Sequence, residues 1–221
     1  MNPQNLEKYL KLNFEVATGK DQQILNDIAR LCLSENFPII DIDVALFLAV
    51  LLRIQQFNQI IELGTGYGYS SLLLALCCPS ASILTIESNI NRTSIANRFF
   101  NESTARSRIQ LIDADILNAL PTLPGKYDFA FIDAAKESYM DYFLGLQDHL
   151  IDNVVVVTDD IYLTDEGNDS FSYQNGDQRI STSLADYRIF LHNLPGFLTT
   201  FLSVGCGVAV SVRNPISRIN G

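Results

Sequence analysis

The apolar positions change period once along the chain. Up to about residue 55 they repeat at helical spacing. Leu6, Tyr9, Leu10, Leu12 and Phe14 are loosely periodic, and Ile24, Ile28, Leu31 and Cys32 follow the i, i+4, i+7, i+8 stripe of a helix resting on a core. Residues 44–54 are apolar on nearly all sides, which predicts a helix packed between a cap and a core. From residue 59 onward, short apolar runs alternate with helical stretches. The pattern predicts strands over 59–63, 83–87, 109–112, 127–132 and 154–158, and helices over 70–78, 90–101, 115–120 and 137–150. Residues 121–125 read as a turn.

This alternation implies right-handed crossovers and a parallel sheet. Val154, Val155, Val156 and Val157 suit a parallel strand covered on both faces. The end of the chain differs: apolar runs at 197–204 and 208–213, split by Gly205, Cys206 and Gly207, predict an antiparallel hairpin. The expected fold is α/β, a mostly parallel seven-stranded Rossmann-like sheet with a terminal hairpin and an N-terminal helical cap. Residues 165–178, rich in Asp, Asn, Ser and Gly, read as a long loop.

With 221 residues, 48% hydrophobic and 18% charged, the chain has the length for one sizeable core, read as a cap over 1–55 and a core over 56–221 of a single domain. The longest apolar run, 44–52, is far short of the ~20 residues a membrane helix needs. The polar start of the chain lacks a basic-then-apolar signal pattern, so a cytoplasmic protein is expected. A net charge of −10, with 15 scattered Lys and Arg, argues against a nucleic-acid partner. Cys32, Cys77, Cys78 and Cys206 fit neither a zinc nor a disulfide spacing and read as buried free thiols.

Candidate chemistry begins at Gly64, Gly66 and Gly68, which follow a strand and open a helix. Glycines there allow positive φ and a close backbone approach to a ligand, and the helix N-terminus presents free N–H groups. Many nucleotide folds share such a turn. Glu62, two residues before it, would be unhelpful beside a pyrophosphate. It suits the ammonium of S-adenosylmethionine (SAM), whose carboxylate Ser70 and the helix N-terminus can take. Glu87 ends the second strand in register with the turn, where an acid accepts both ribose hydroxyls.

Several ordered motifs extend this pattern: residues 60–71 around the turn, 84–87 (Leu-Thr-Ile-Glu), 127–139, 156–160 and 205–211. Together they resemble the metal-dependent O-methyltransferase family of the catechol and caffeoyl-coenzyme A enzymes, with the small bacterial members most similar. The resemblance covers residues 60–212. It implies a SAM site made by Glu62, Gly64, Gly66, Gly68, Ser70 and Glu87, with Ala114 and Asp115 beside the adenine and Asp133 at the cofactor's reacting end. It implies a divalent cation, magnesium or calcium, on Asp133, Asp159 and Asp160, with Lys136 and Asp133 as catalytic residues. A homodimer and a small hydroxylated acceptor follow from the same resemblance.

The placement agrees with simple chemistry. Acids ending the fourth and fifth strands meet where open α/β sheets bind ligands. Their mutual repulsion is relieved by a hard cation with oxygen ligands. Asp133 also suits a helix N-cap, Asp159 and Asp160 a turn, and Lys136 a solvated first-turn position. Asp160 stands where the family usually has Asn, Cys206 where small bacterial relatives carry an acid, and the 165–169 stretch is unusually acidic. Three other readings stay open: a methyltransferase for hydroxylated uridine in transfer RNA, a non-catalytic SAM-binding protein, and an NAD-dependent oxidoreductase.

Overall fold

The computed structural model describes residues 7–9, 18–162 and 178–214. Most of the early stretch of loosely periodic residues, and nearly all of the acidic loop with Asp165, Glu166 and Asp169, lies outside them. Two helices come first, α1 (Gly19–Ser34) and α2 (Ile42–Ile54). Thr18 caps α1 by accepting from the Asp21 N–H, and Asp41 caps α2 from the Asp43 N–H. Helix α2 differs from expectation. Its inner face is buried, but Leu46, Val50 and Ile54 are exposed on the other, so it lies on the core without being enclosed.

The core runs β1 (Gln59–Leu63), α3 (Tyr69–Cys77), β2 (Ser82–Glu87), α4 (Ile90–Glu102), β3 (Ile109–Asp113), α5 (Ile116–Ala119) and β4 (Tyr127–Ile132). It continues with α6 (Tyr139–Leu146), β5 (Leu150–Thr158), α7 (Gln178–Asn193), β6 (Phe197–Leu202) and β7 (Val208–Arg213). The seven strands form one sheet in the order β3-β2-β1-β4-β5-β7-β6. The first five pair in parallel, and β7 pairs antiparallel with both β5 and β6. Two apolar clusters cover the sheet, one including cap residues such as Leu25, Ile28 and Leu48, the other built on α6 and α7 through Phe143, Tyr187 and Leu191.

Strands come out as expected because each is a continuous apolar run that the sheet buries. The helix expected over 137–150 is a correction. A 3-10 turn at Lys136–Ser138 precedes a short α6, a second 3-10 turn covers Gln147–His149, and β5 already begins at Leu150. Ile151, Asp152 and Asn153 are exposed at the start of β5, so they lack the apolar signature of the valines that follow. Cys32, Cys77 and Cys78 are buried as expected, whereas Cys206 is partly exposed at the hairpin bend.

The chain places β2 and β3 on one side of β1 and β4 and β5 on the other. The crevice above the carboxyl ends of β1 and β4 is the switch point at which such sheets bind ligands. A buried acid fastens the cap beside it. Asp21 accepts from the Thr104 N–H (2.9 Å) and Thr104 Oγ1 (2.7 Å), joining α1 to the segment after α4. Burial raises its carboxyl, but the hydrogen bonds from Thr104 and Thr18 and the charge of Lys20 outweigh that and hold it below 3.8. A depressed folded pKa contributes stability above the unfolded value that is lost as pH falls through the folded one. Asp21→Ala should cost about 2 kcal/mol at neutral pH by leaving the Thr104 donors unpaired. In urea titrations the gap to wild type should narrow below pH 3.8; a gap independent of pH would refute this assignment.

Candidate active site

Three glycines shape the turn after β1, all at positive φ: Gly64 at 100°, Gly66 at 54° and Gly68 at 92°. Two of them make room for protein at distances no Cβ could tolerate. A Cβ on Gly64 would lie 2.0 Å from the Asp133 carbonyl oxygen, and one on Gly68 would lie 2.6 Å from the Phe100 ring. The Gly64 approach brings the end of β1 directly against the end of β4. The Asp133 N–H donates to the Leu63 carbonyl (3.0 Å), and the Asp159 N–H donates to the Ile132 carbonyl (3.0 Å). The strand pairing thus continues one residue past each strand and sets the acids at the crevice.

Glu87 sits at the other side of the turn, nearly buried. Its Oε2 accepts from the Gly66 N–H (3.1 Å) and its Oε1 from the Asn89 N–H (3.0 Å), with Arg92 Nη1 3.6 Å from Oε1. Each carboxylate oxygen has two acceptor sites, so the arrangement fixes the acid while leaving acceptor capacity. Of the two positions expected beside the adenine, Ala114 donates its N–H to the Glu87 carbonyl (3.1 Å), and Asp115 caps α5 through the Asn118 N–H (3.1 Å).

Glu62 is fully enclosed. Its Oε2 accepts from Ser71 Oγ and from Thr85 Oγ1 (2.6 Å), and Thr85 Oγ1 is 2.6 Å from Thr65 Oγ1. Its Oε1 has no hydrogen-bond partner of normal geometry among the described residues. Burial drives the carboxyl up to about 7, opposed by the Ser70, Ser71 and Thr85 hydroxyls and reinforced by Asp133. Sequence reasoning missed Ser71, Thr65 and Thr85. The available signal was Thr85, a polar residue inside an otherwise apolar strand.

A raised folded pKa gives stability that is complete below the unfolded value, here 4.5, and is lost as pH rises through about 7. The uncharged isostere Glu62→Gln should therefore leave the ligand-free protein more stable than wild type by about 3 kcal/mol at pH 8. It should give no gain below pH 4.5. Equal stability differences at both pH values, from chemical denaturation, would contradict the assignment.

The second half of the site lies past β4 and β5. Lys136 is almost buried on its 3-10 turn, so it is not the solvated lysine a first-turn position allows. Its Nζ donates to Asp160 Oδ2 at 2.6 Å. Asp160 is at φ 55°, a left-handed conformation that Asn and Asp adopt more readily than most residues, and its N–H donates to Asp159 Oδ1 (2.8 Å). Asp159 is buried, and burial with the charges of Asp160 and Asp133 pushes its carboxyl well above the usual carboxylate range. Asp133 is partly exposed. It rises to about 6 through desolvation and Asp160, with Lys136 opposing.

Beneath them, Tyr139 is buried with its hydroxyl unpartnered among the described residues and its ring 5.9 Å from Lys136 Nζ. Asp133, Asp159 and Asp160 thus stand at the adjoining ends of β4 and β5. Among the described residues, however, no three His, Cys, Asp or Glu side chains are gathered to hold a metal ion. Asp160 turns to Lys136 instead, and the expected ligand triad is not assembled in this arrangement.

Fold and site together define a Rossmann-like methyltransferase architecture, a parallel sheet with a terminal hairpin and a glycine turn at its switch point. The O-methyltransferase family model matches residues 15–186, and the chain belongs to that family. Among curated relatives, it is 34% identical over 111 residues to the O-methyltransferase hkm8 of Aspergillus hancockii, covering 48% of this chain and 44% of that protein. It is 31% identical over 102 residues to a catechol O-methyltransferase of Niastella koreensis, covering 44% and 46%. The match spans about half the length of these relatives.

Among solved structures, the O-methyltransferase TomG of Streptomyces achromogenes in complex with SAM superposes with a TM-score of 0.77 at 21% identity, covering 97% of both chains. An O-methyltransferase of Bacillus cereus in complex with SAH superposes at 0.73 and 21%, covering 91% of this chain and 100% of that one. Among the described residues no helix is long and apolar enough to cross a membrane.

Proposed function

We propose that the chain is a SAM-dependent O-methyltransferase that methylates a hydroxyl of a small acceptor with the help of a divalent cation. One observation carries the reading. The Gly64–Asp133 approach puts the glycine turn and the acid–lysine edge in direct contact, so a cofactor and an acceptor held by the two halves would be neighbours. Family membership supplies the reaction class, and the SAM and SAH held by the similar solved structures support the donor.

In this reading Glu87 accepts the ribose hydroxyls. Glu62, enclosed beneath the turn, favours the methionyl ammonium through its field rather than by direct contact. Ser70, at the start of α3, takes the carboxylate together with the free N–H groups there. Asp133 and Asp159, joined by Asp160 once it is released from Lys136, would hold the cation. Three hard oxygen donors suit magnesium or calcium, and burial together with the neighbouring acids raises the Asp133 and Asp159 carboxyls, a conflict that a cation would relieve. Bound there, the cation would polarise the acceptor hydroxyl.

Lys136, set on the same edge by its 3-10 turn, stands to stabilise the oxyanion as the acceptor loses its proton. Transfer itself is then a matter of in-line positioning. The acidic balance of −10 favours a small-molecule acceptor over a nucleic acid.

The test is a transfer screen with methyl-labelled SAM over catechols, hydroxycinnamoyl thioesters and hydroxylated nucleosides, with magnesium and with excess chelator. Magnesium-stimulated labelling of a vicinal diol is expected. SAM binding with no transfer to any acceptor would favour a binding protein, and full activity in chelator would remove the cation.

A further inference from the structure

The cap meets the cofactor half of the site at one point that the proposed chemistry does not use. Phe37, in the link between α1 and α2, stacks on Tyr67 of the glycine turn with ring centroids 4.1 Å apart and planes 13° apart. The Tyr67 hydroxyl donates to Glu35, on the same cap link. The edge of the Phe37 ring faces Gly66, where a Cβ would meet Cε1 at 3.1 Å and Cζ at 3.4 Å. Arg92, in the first turn of α4, lies 5.0 Å from the centre of the Phe37 ring and 3.6 Å from Glu87.

These contacts form a closed circuit. Gly66, one of the two residues that donate an N–H to Glu87, is the one against which Phe37 packs, and the guanidinium beside Glu87 also lies over Phe37. Phe37 and Tyr67 are each only partly buried, so the stack stands at the rim of the crevice. An aromatic pair with a cation on its face is a specific arrangement, costly to open without a replacement partner.

We propose that Phe37, Tyr67 and Arg92 form a latch by which the cap holds the glycine turn and Glu87 in their binding geometry and retards escape of a bound adenosyl group. The latch rests on the cofactor reading above. Glu87 binds the ribose; the latch positions Glu87 and the turn. It acts on residence time more than on encounter, because it holds Glu87 and the turn in the geometry that grips the ligand once it is bound.

The experiment measures SAH affinity by calorimetry and release of labelled SAH by rapid filtration, on the full chain. Phe37→Ala should raise the Kd about tenfold, mainly through faster release, and Phe37→Tyr should restore it to within about threefold. Tyr67→Phe, which keeps the stack and removes the Glu35 bond, should speed release by a smaller factor. Thermal midpoints without ligand report whether a variant is merely misfolded. Should Phe37→Ala fail to fold, Tyr67→Phe and Arg92→Met carry the same comparison.

Wild type that binds SAH, with folded variants that bind and release it at the wild-type rate, overturns the latch alone. Wild type that binds no SAH overturns the cofactor reading and the latch with it.

Discussion

Gly64→Ala is expected to cost at least about 4 kcal/mol or to prevent folding altogether, an effect in the exceptional range for one substitution. A Cβ there meets the Asp133 carbonyl oxygen at 2.0 Å, and both partners are main chain held by sheet hydrogen bonds. Neither can step aside without parting β1 from β4. The φ of 100° adds a conformation that L-residues avoid. Gly125→Ala is the matched control. Its φ is 77°, also left-handed, yet nothing lies within 4 Å of the added Cβ. It should lose only the conformational part, about 1 kcal/mol. Denaturant titration of both variants separates steric from conformational cost. Equal losses would show that the turn is not held against β4.

Lys136→Met should lower the rate of methyl transfer by about 10²- to 10³-fold, the range for removing one preorganised oxyanion donor. Affinity for SAM should change little, because Lys136 sits on the acid edge and the glycine turn, Glu62 and Glu87 lie on the other half of the crevice. Asp160→Asn offers the contrast. It keeps a carbonyl oxygen for the Lys136 hydrogen bond and a residue suited to φ 55°, but removes the charge partner. Its transfer rate should fall by less than that of Lys136→Met. Steady-state kinetics with calorimetric SAM binding decide the matter. An unchanged rate in Lys136→Met would remove the lysine from the reaction.

How much of this was legible in the sequence depended on whether one side chain or two carried the feature. The strands could be read because burial on both faces leaves an uninterrupted apolar run, as in Val154 to Val157. The start of β5 could not, since Leu150 pairs with Tyr127 but is followed by three exposed residues before the pairing resumes at Val155. The long helix expected over 137–150 failed for a related reason. Tyr139, Tyr142, Phe143 and Leu146 keep helical spacing, but the segments flanking them tighten into 3-10 turns.

In the site, Gly64, Gly66, Gly68, Glu62 and Glu87 were visible through their spacing along consecutive elements. The Lys136–Asp160 bond was not, because it joins residues 24 apart through side-chain orientation. Phe37 acts through a tertiary contact that no local pattern encodes, whereas Thr85 stands out as a polar residue in an apolar strand.

The central claim is that the glycine turn and the acid–lysine edge form one site for SAM and its acceptor. A crystal structure of the full chain with SAH tests it most directly. Ribose hydroxyls on Glu87, the methionyl carboxylate at Ser70, and the sulfur facing the edge that carries Asp133 and Lys136 are expected. SAH bound with its ribose away from Glu87, or with its sulfur turned from Asp133 and Lys136, would contradict it.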